Sequence, residues 1–219
     1  EKSFGQDAYG LYFDPFMRHY LTAKTGEIPN VREVYSAFKK FARAFDGGTE
    51  ALVADIHAYA GYYCAMALDK ENIDELRLAF NDLRDLKVDV VYPFLLDVYH
   101  DYKNQRLTSD DVLKIVRLVE SYIFRRAVCG IGSNSQSQTF AGLSQMIKKE
   151  VYVESVEAVF LLLPSYRRFP GDKEFQRDMK TRDLYNFARK NYWLYRLENH
   201  ARKERVSVGE YTVEHIMPQ

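Results

Sequence analysis

Cysteine, long apolar runs and net charge are all scarce in this sequence. Its two cysteines, Cys64 and Cys129, have no partner at CxxC or zinc-ligand spacing, so neither a disulfide framework nor a zinc site is indicated. Both fall in apolar helical patterns, which predicts buried free thiols. No run approaches the roughly 18 apolar residues of a membrane span, and no secretory leader is visible. These absences favour a cytoplasmic location without a membrane partner.

Formal charge cancels over the 219 residues but is unevenly distributed. Residues 46–101 carry 12 acidic and 4 basic side chains, a net of −8, whereas residues 166–205 carry 12 basic and 6 acidic ones, a net of +6. Such asymmetry occurs in chains whose one end faces nucleic acid. Charge alone favours the alternative that these are solvated faces of surface helices, because acids interleave with the basic stretch.

Apolar residues recur with helical spacing along most of the chain. Asn30 suits the N-cap of a helix that Gly47 and Gly48 end, and Pro93 suits the first turn of another. Thr108 is expected to be the N-cap of a further helix. The run GIGSNSQS at 130–137 predicts a loop, and the spacing over 184–195 predicts a last long helix.

Aromatic residues are abundant, with 17 Tyr and 14 Phe. Because a tyrosine hydroxyl needs a hydrogen-bond partner when its ring is buried, we expect many half-buried tyrosines at contacts between helices. The sole tryptophan, Trp193, is expected in the core. The sequence therefore predicts an all-α fold, an irregular bundle of roughly eight to ten helices that forms one helical domain over residues 1–205.

The tail departs from the helical pattern. Residues 211–216 alternate with period 2 and are rich in β-formers, which predicts a short C-terminal strand. A single strand is not stable alone, so we expect it to be the remnant of a truncated domain that begins in residues 206–219. Its Glu214–His215 pair matches the start of a His-Me finger (HNH) nuclease site. Phosphodiester hydrolysis needs a base and a cation, and a strand directs these neighbours to opposite sides.

The string EHIMPQ at 214–219, preceded by LYRLEN at 194–199, resembles the C-terminal signature of the GmrSD-type DNA restriction endonucleases. Other segments are similar to that family in the same order. They are YLTAK at 20–24, VYSAFKKF at 34–41, SYIFRRAVCG at 121–130 and FPGDKEFQRDM at 169–179. The tail is the specific part of the resemblance, and the helical segments are weakly diagnostic individually.

The resemblance implies a longer protein that restricts foreign, often modified, DNA. An N-terminal nucleotide-dependent domain would precede this helical region, and an HNH nuclease would follow. His215 would be the general base and Glu214 a metal-site residue. The full-length protein would use a divalent metal, with Mg²⁺ expected, and a nucleotide, whereas none is expected in this fragment. The chain has no GxxxxGK phosphate loop, and the remaining HNH residues would lie beyond Gln219.

Arginines and lysines ahead of the tail are the candidates for contact with the DNA backbone. They are Arg167, Arg168, Lys173, Arg177, Lys180, Arg182, Arg189, Lys190 and Arg196. Arg126 and Glu198 both continue apolar stripes, so we predict that they pair and fix two helices together, because an unpaired buried charge is costly. The alternative is that Arg125 and Arg126 clamp a DNA phosphate. The four histidines outside the tail are expected at surfaces or helix contacts. They are His19, His57, His100 and His200.

The sequence thus predicts the helical connector of a DNA restriction endonuclease, inactive alone, with DNA as the partner of the parent protein. Two alternatives stay open. One is a helical protein–protein adaptor whose nuclease has decayed, and the other is an unrelated helical enzyme, which a deep pocket with convergent polar groups would favour. A homo-oligomer is compatible with each of them.

Overall fold

Helical spacing of apolar residues produces ten α-helices in the part of the chain that the computed structural model describes, residues 9–202 and 204–206. The helices are α1 (Asp14–Thr25), α2 (Val34–Ala44), α3 (Gly48–Ala67), α4 (Asp74–Asp85), α5 (Tyr92–Lys103), α6 (Ser109–Val128), α7 (Gln136–Leu143), α8 (Tyr152–Leu162), α9 (Asp172–Thr181) and α10 (Lys190–Glu198). No β-strand occurs among these described residues, so the all-α prediction is confirmed for them. The predicted strand at 211–216 lies outside the described residues.

Helix α5 is at the centre of the bundle. It contacts α1, α3, α6 and α7, and its buried residues lie on nearly every side, as expected for a helix enclosed by others. Pro93 occupies its first turn, as predicted. Helix α6 crosses the same core and begins with a capping box, in which Thr108 and Asp111 bond reciprocally. No helix in the described residues is both long and apolar enough to cross a membrane.

Buried tyrosines pair with carboxylates at the contacts between helices. The Tyr20 hydroxyl donates to Asp55 across 2.6 Å, joining α1 to α3, and the Tyr152 hydroxyl donates to Asp101 across 3.1 Å, joining α8 to α5. Burial, together with the Asp55 carboxylate, raises the pKa of Tyr20 well above its usual range. These tyrosines lie between helices and have hydrogen-bond partners, as predicted, but Tyr20 and Tyr152 are buried and not half-buried.

A second apolar cluster packs α9 and α10 against the end of α6. Val128, Phe187 and Trp193 form its buried centre, with Phe175 and Met179 of α9 against them. Trp193 is therefore a core residue, as predicted. The cluster fixes α9 and α10, which carry much of the basic stretch, against α6.

Three sequence predictions are wrong in detail. The last helix begins at Lys190, because the Asp183 carboxylate accepts hydrogen bonds from the Asn186 backbone and amide and so stabilises a turn in place of the predicted helix. Gly47 and Gly48 do not end α2, which stops at Ala44. They adopt left-handed φ angles at the beginning of α3 instead. Cys64 and Cys129 are free thiols but are half-buried.

Candidate nucleic-acid interface

Helix α9 has one apolar face and one basic face. Phe175 and Met179 point into the second apolar cluster, and the Phe175 ring lies 6.0 Å from the ring of Phe124. On the other face the exposed side chains of Lys173, Arg177 and Lys180 follow one another at spacings of four and three residues, which align them along the helix. We call these three residues the α9 basic face.

Ion pairs hold α9 on the bundle at its first turns. The Arg125 guanidinium of α6 bonds the Asp172 carboxylate across 2.5 Å and the Pro170 carbonyl across 3.2 Å. The Arg168 guanidinium bonds both carboxylate oxygens of Glu174, at 2.5 and 2.6 Å, and these bonds lower the pKa of Glu174. Asp172 and Glu174 thus pair with arginines outside α9, and Asp178 pairs with Arg177 within it. Lys173 and Lys180 have no ion-pair partner among the described residues.

The nine predicted DNA contacts differ in what their side chains already touch. Arg168 and Arg196 are committed to ion pairs with Glu174 and Asp82. Others cover aromatic rings: Arg167 lies over Tyr166, Arg182 over Phe187, and Lys190 over Tyr185. Arg189 is half-buried, and burial lowers its pKa. Among the nine, Lys173, Arg177 and Lys180 are the ones that share an exposed face of one helix, although Arg177 also bonds Asp178 across 2.7 Å.

Arg196 turns inward to a buried acidic pair. Asp82 of α4 is fully buried and accepts from Arg117 at 2.5 Å, Arg196 at 2.8 Å and Arg205 at 2.8 Å. Glu120 of α6 is buried beside it and accepts from Arg117 at 2.5 Å. Burial works against the charge of Arg117, yet the two carboxylates raise its pKa. This network ties α4, α6, α10 and the segment after α10 together.

Sequence reasoning missed the network of Asp82 and Glu120. A signal was present, because Glu120 follows Val116 by four residues and therefore falls on the apolar stripe of α6. An acid on a buried helix face requires cations as partners, by the same reasoning that predicted a partner for the buried charge of Arg126. Which arginines would supply them, however, depends on helices distant in sequence.

The predicted Arg126–Glu198 pair is wrong. Arg126 is fully buried, but its guanidinium donates to the backbone carbonyls of Tyr166 and Gly132, both at 2.8 Å. Glu198 pairs with Arg202, four residues later on the same segment. Carbonyl oxygens of the turns around α7 and α9 replace the expected carboxylate, so Arg126 fixes loops and not a second helix. Its burial also removes it from contact with a DNA phosphate.

Cys129, Glu174 and Asp178 bring three metal-ligand types within 4.8 Å of one another. Both carboxylates already bind arginines, Glu174 through Arg168 and Asp178 through Arg177. Burial first, and then the neighbouring carboxylates, raise the pKa of the Cys129 thiol to about 11, so it stays protonated near neutrality and donates to Asp178. Because arginines already neutralise both carboxylates, we interpret these three groups as a polar contact between α6 and α9.

A groove of about 410 Å³ lies between α6, α9 and α10. Its charged groups, Arg117, Glu120 and Arg196, already belong to the buried acidic network. His200 at its edge is exposed. Because these groups neutralise one another, the groove offers no activated acid–base pair, and it does not favour the unrelated helical enzyme.

No protein-family model, curated protein or solved structure matches this chain. Glu214 and His215 lie outside the described residues. The resemblance to the GmrSD-type enzymes therefore remains a prediction that rests on the motifs quoted from the sequence.

Proposed function

We propose that this chain is the helical connector of a DNA restriction endonuclease and that the α9 basic face contacts the DNA backbone. The observation that carries the proposal is that Lys173, Arg177 and Lys180 share one exposed face of a helix. This helix precedes the EHIMPQ tail by only about thirty residues of chain, each spanning at most roughly 3.5 Å. The helical body would hold the nuclease near the DNA that α9 touches.

In this proposal the chemistry belongs to the full-length protein, which would act on foreign DNA in the cytoplasm. His215 would accept a proton from the attacking water, and Glu214 would help to hold a divalent metal such as Mg²⁺. A nucleotide would bind the domain that precedes the connector. The described residues would contribute DNA binding and the placement of the nuclease, but no catalytic group.

The DNA contact is tested by reversing the charge of the α9 basic face. We expect the triple variant Lys173→Glu, Arg177→Glu and Lys180→Glu to bind duplex DNA more weakly than the unchanged protein, as measured by fluorescence anisotropy without divalent metal. Because each phosphate contact contributes a slope of roughly 0.9 to the dependence of log K on log salt, the slope should fall by about 2 to 3.

The matched control reverses three exposed lysines on other elements, Lys103, Lys114 and Lys148, and so changes the net charge equally. Its affinity and salt slope should stay near those of the unchanged protein. Equal losses in both variants would mean that only net charge matters. If DNA binding and its salt slope survive reversal of the α9 basic face, α9 is not the interface.

A helical protein–protein adaptor is the second candidate function. It is favoured by apolar side chains that the fold leaves in solvent at the end of α8, where Leu161 and Leu162 are 76% and 79% exposed and Tyr166 is 62% exposed. An adaptor would show no salt-dependent DNA binding, so the experiment on α9 distinguishes the two candidates.

A further inference from the structure

Two helices of this chain carry exposed surfaces of complementary pattern. On α2 and the turn before it, Val31, Tyr35, Lys39 and Arg43 recur every four residues, and all four are exposed. We call them the basic ridge. Val31 and Tyr35 are 70% and 68% exposed, although both are large apolar side chains. The opposite side of α2 packs Phe38 against the core.

The exposed side of α8 has the opposite charge and the reverse order. Glu154 and Glu157 lie toward its beginning, Ala158 in its middle, and Leu161 and Leu162 at its end. We call these five residues the acidic face. Val156 and Phe160, on the other side of α8, are fully buried. The acidic face is therefore unused by the fold that contains it.

We propose that the basic ridge of one copy of this chain packs antiparallel against the acidic face of a second copy. In that alignment Tyr35 lies against Leu161 and Leu162, and Arg43 lies near Glu154. The two surfaces match in length. Tyr35 and Arg43 are eight residues apart, as are Glu154 and Leu162, and eight residues of helix span about 12 Å.

Three physical features support this packing. Apolar groups meet apolar groups at one end, which removes large exposed side chains from water. Opposite charges meet at the other end, and the small Ala158 between them allows the helix axes to approach. Antiparallel helices also place their opposite dipole ends together.

The occupant is a second copy because both complementary surfaces belong to the same chain. A two-fold axis would make this contact twice and close a dimer, whereas any other rotation between copies would give a ring or a filament, and each of these is self-association. The interface uses neither the α9 basic face nor the tail, so it is independent of the proposed DNA contact.

The test is a charge exchange read by sedimentation equilibrium over a range of protein concentrations. Lys39→Glu with Arg43→Glu, and separately Glu154→Lys with Glu157→Lys, should each weaken self-association at least about tenfold, since like charges then face each other. The protein that carries all four substitutions should recover most of the association, because the opposite charges again meet.

The control variant changes two exposed acids on α4, Asp74→Lys and Glu75→Lys, and should associate like the unchanged protein. Circular dichroism establishes that each variant keeps its helices. A monomeric unchanged protein at every concentration would overturn the proposal. So would association that neither reversal weakens, or a four-fold variant that recovers nothing.

Discussion

The Tyr59 hydroxyl donates a hydrogen bond to a carboxylate oxygen of Asp97, on α5, across 3.5 Å. Burial, the largest influence, raises the pKa of Asp97 from its ordinary 3.8 to about 6, although a Ser144 hydrogen bond and the charge of Lys24 oppose the shift. A carboxyl group whose pKa is raised on folding stabilises the protein at low pH, and that contribution is lost as pH rises from about 4 to about 6.

We therefore expect Asp97→Asn to stabilise the protein near neutral pH. The amide keeps a similar shape but never ionises. The gain in the free energy of unfolding should therefore be near zero around pH 4. At pH values higher than the folded-state pKa it should reach about 1–2 kcal/mol. Urea unfolding of both proteins across this pH range measures the difference. A difference that does not vary with pH, or a destabilised variant at neutral pH, would contradict the expectation.

Arg126 shows how far residue-scale reasoning reaches. Its position on the apolar stripe of α6 correctly predicts burial, because the helical period fixes which side chains share a face. Its partners are carbonyl groups of Tyr166 and Gly132, which lie in turns. Backbone carbonyls occur at every residue, so no pattern of side chains in the sequence distinguishes the ones that a buried guanidinium will meet.

At the scale of elements, the Asp82 network adds to the apolar contacts that hold α10 on the bundle. Replacing Asp82 with Ala would leave Arg117, Arg196 and Arg205 facing one another without their shared carboxylate. Removing one partner of a fully buried ion pair costs about 3–5 kcal/mol, but these arginines are partly exposed and Arg117 keeps Glu120. We therefore expect a smaller loss, about 2–3 kcal/mol, in the free energy of unfolding measured with urea.

Asp74→Ala is the comparison on the same helix. Asp74 pairs with Arg77 in solvent, and an exposed pair at a helix beginning contributes less than about 1 kcal/mol. Equal, small losses at Asp74 and Asp82 would show that the buried network does not fasten α4 to α10.

Local chemistry predicted some element boundaries and missed others. Thr108 caps α6 as expected, because the Thr108 hydroxyl and the Asp111 carboxylate lie only three residues apart and bond each other's backbone. The stretch before α10 was predicted as helix from the spacing of apolar residues. Phe187 in that stretch is indeed buried, but a turn stabilised by Asp183 brings it to the second apolar cluster.

At the scale of the whole molecule, the proposed function depends on His215. In the full-length protein we expect His215→Ala to abolish cleavage of plasmid DNA in the presence of divalent metal and nucleotide, since the attacking water loses its base. Gel electrophoresis of modified and plain plasmids provides the measurement.

His200→Ala is the control, because His200 is exposed and precedes the tail motif in the sequence. It should cleave like the unchanged protein. Equal cleavage by the His215 variant would remove this residue from the mechanism. An unchanged protein that cleaves neither plasmid, and does not bind DNA through α9, would favour the adaptor.

The sequence by itself determined that the described chain is helical, where several helices begin, and that its basic residues concentrate ahead of the tail motif. These properties are local, since helical period and capping act over about four residues. Only the tertiary structure decided which cations remain open. Arg196 bonds Asp82, 114 residues earlier in the chain, whereas Lys173 and Lys180 stay in solvent. Charges of one kind in one stretch differ in role because packing buries the carboxylate of Asp82, and a buried carboxylate requires cations as partners.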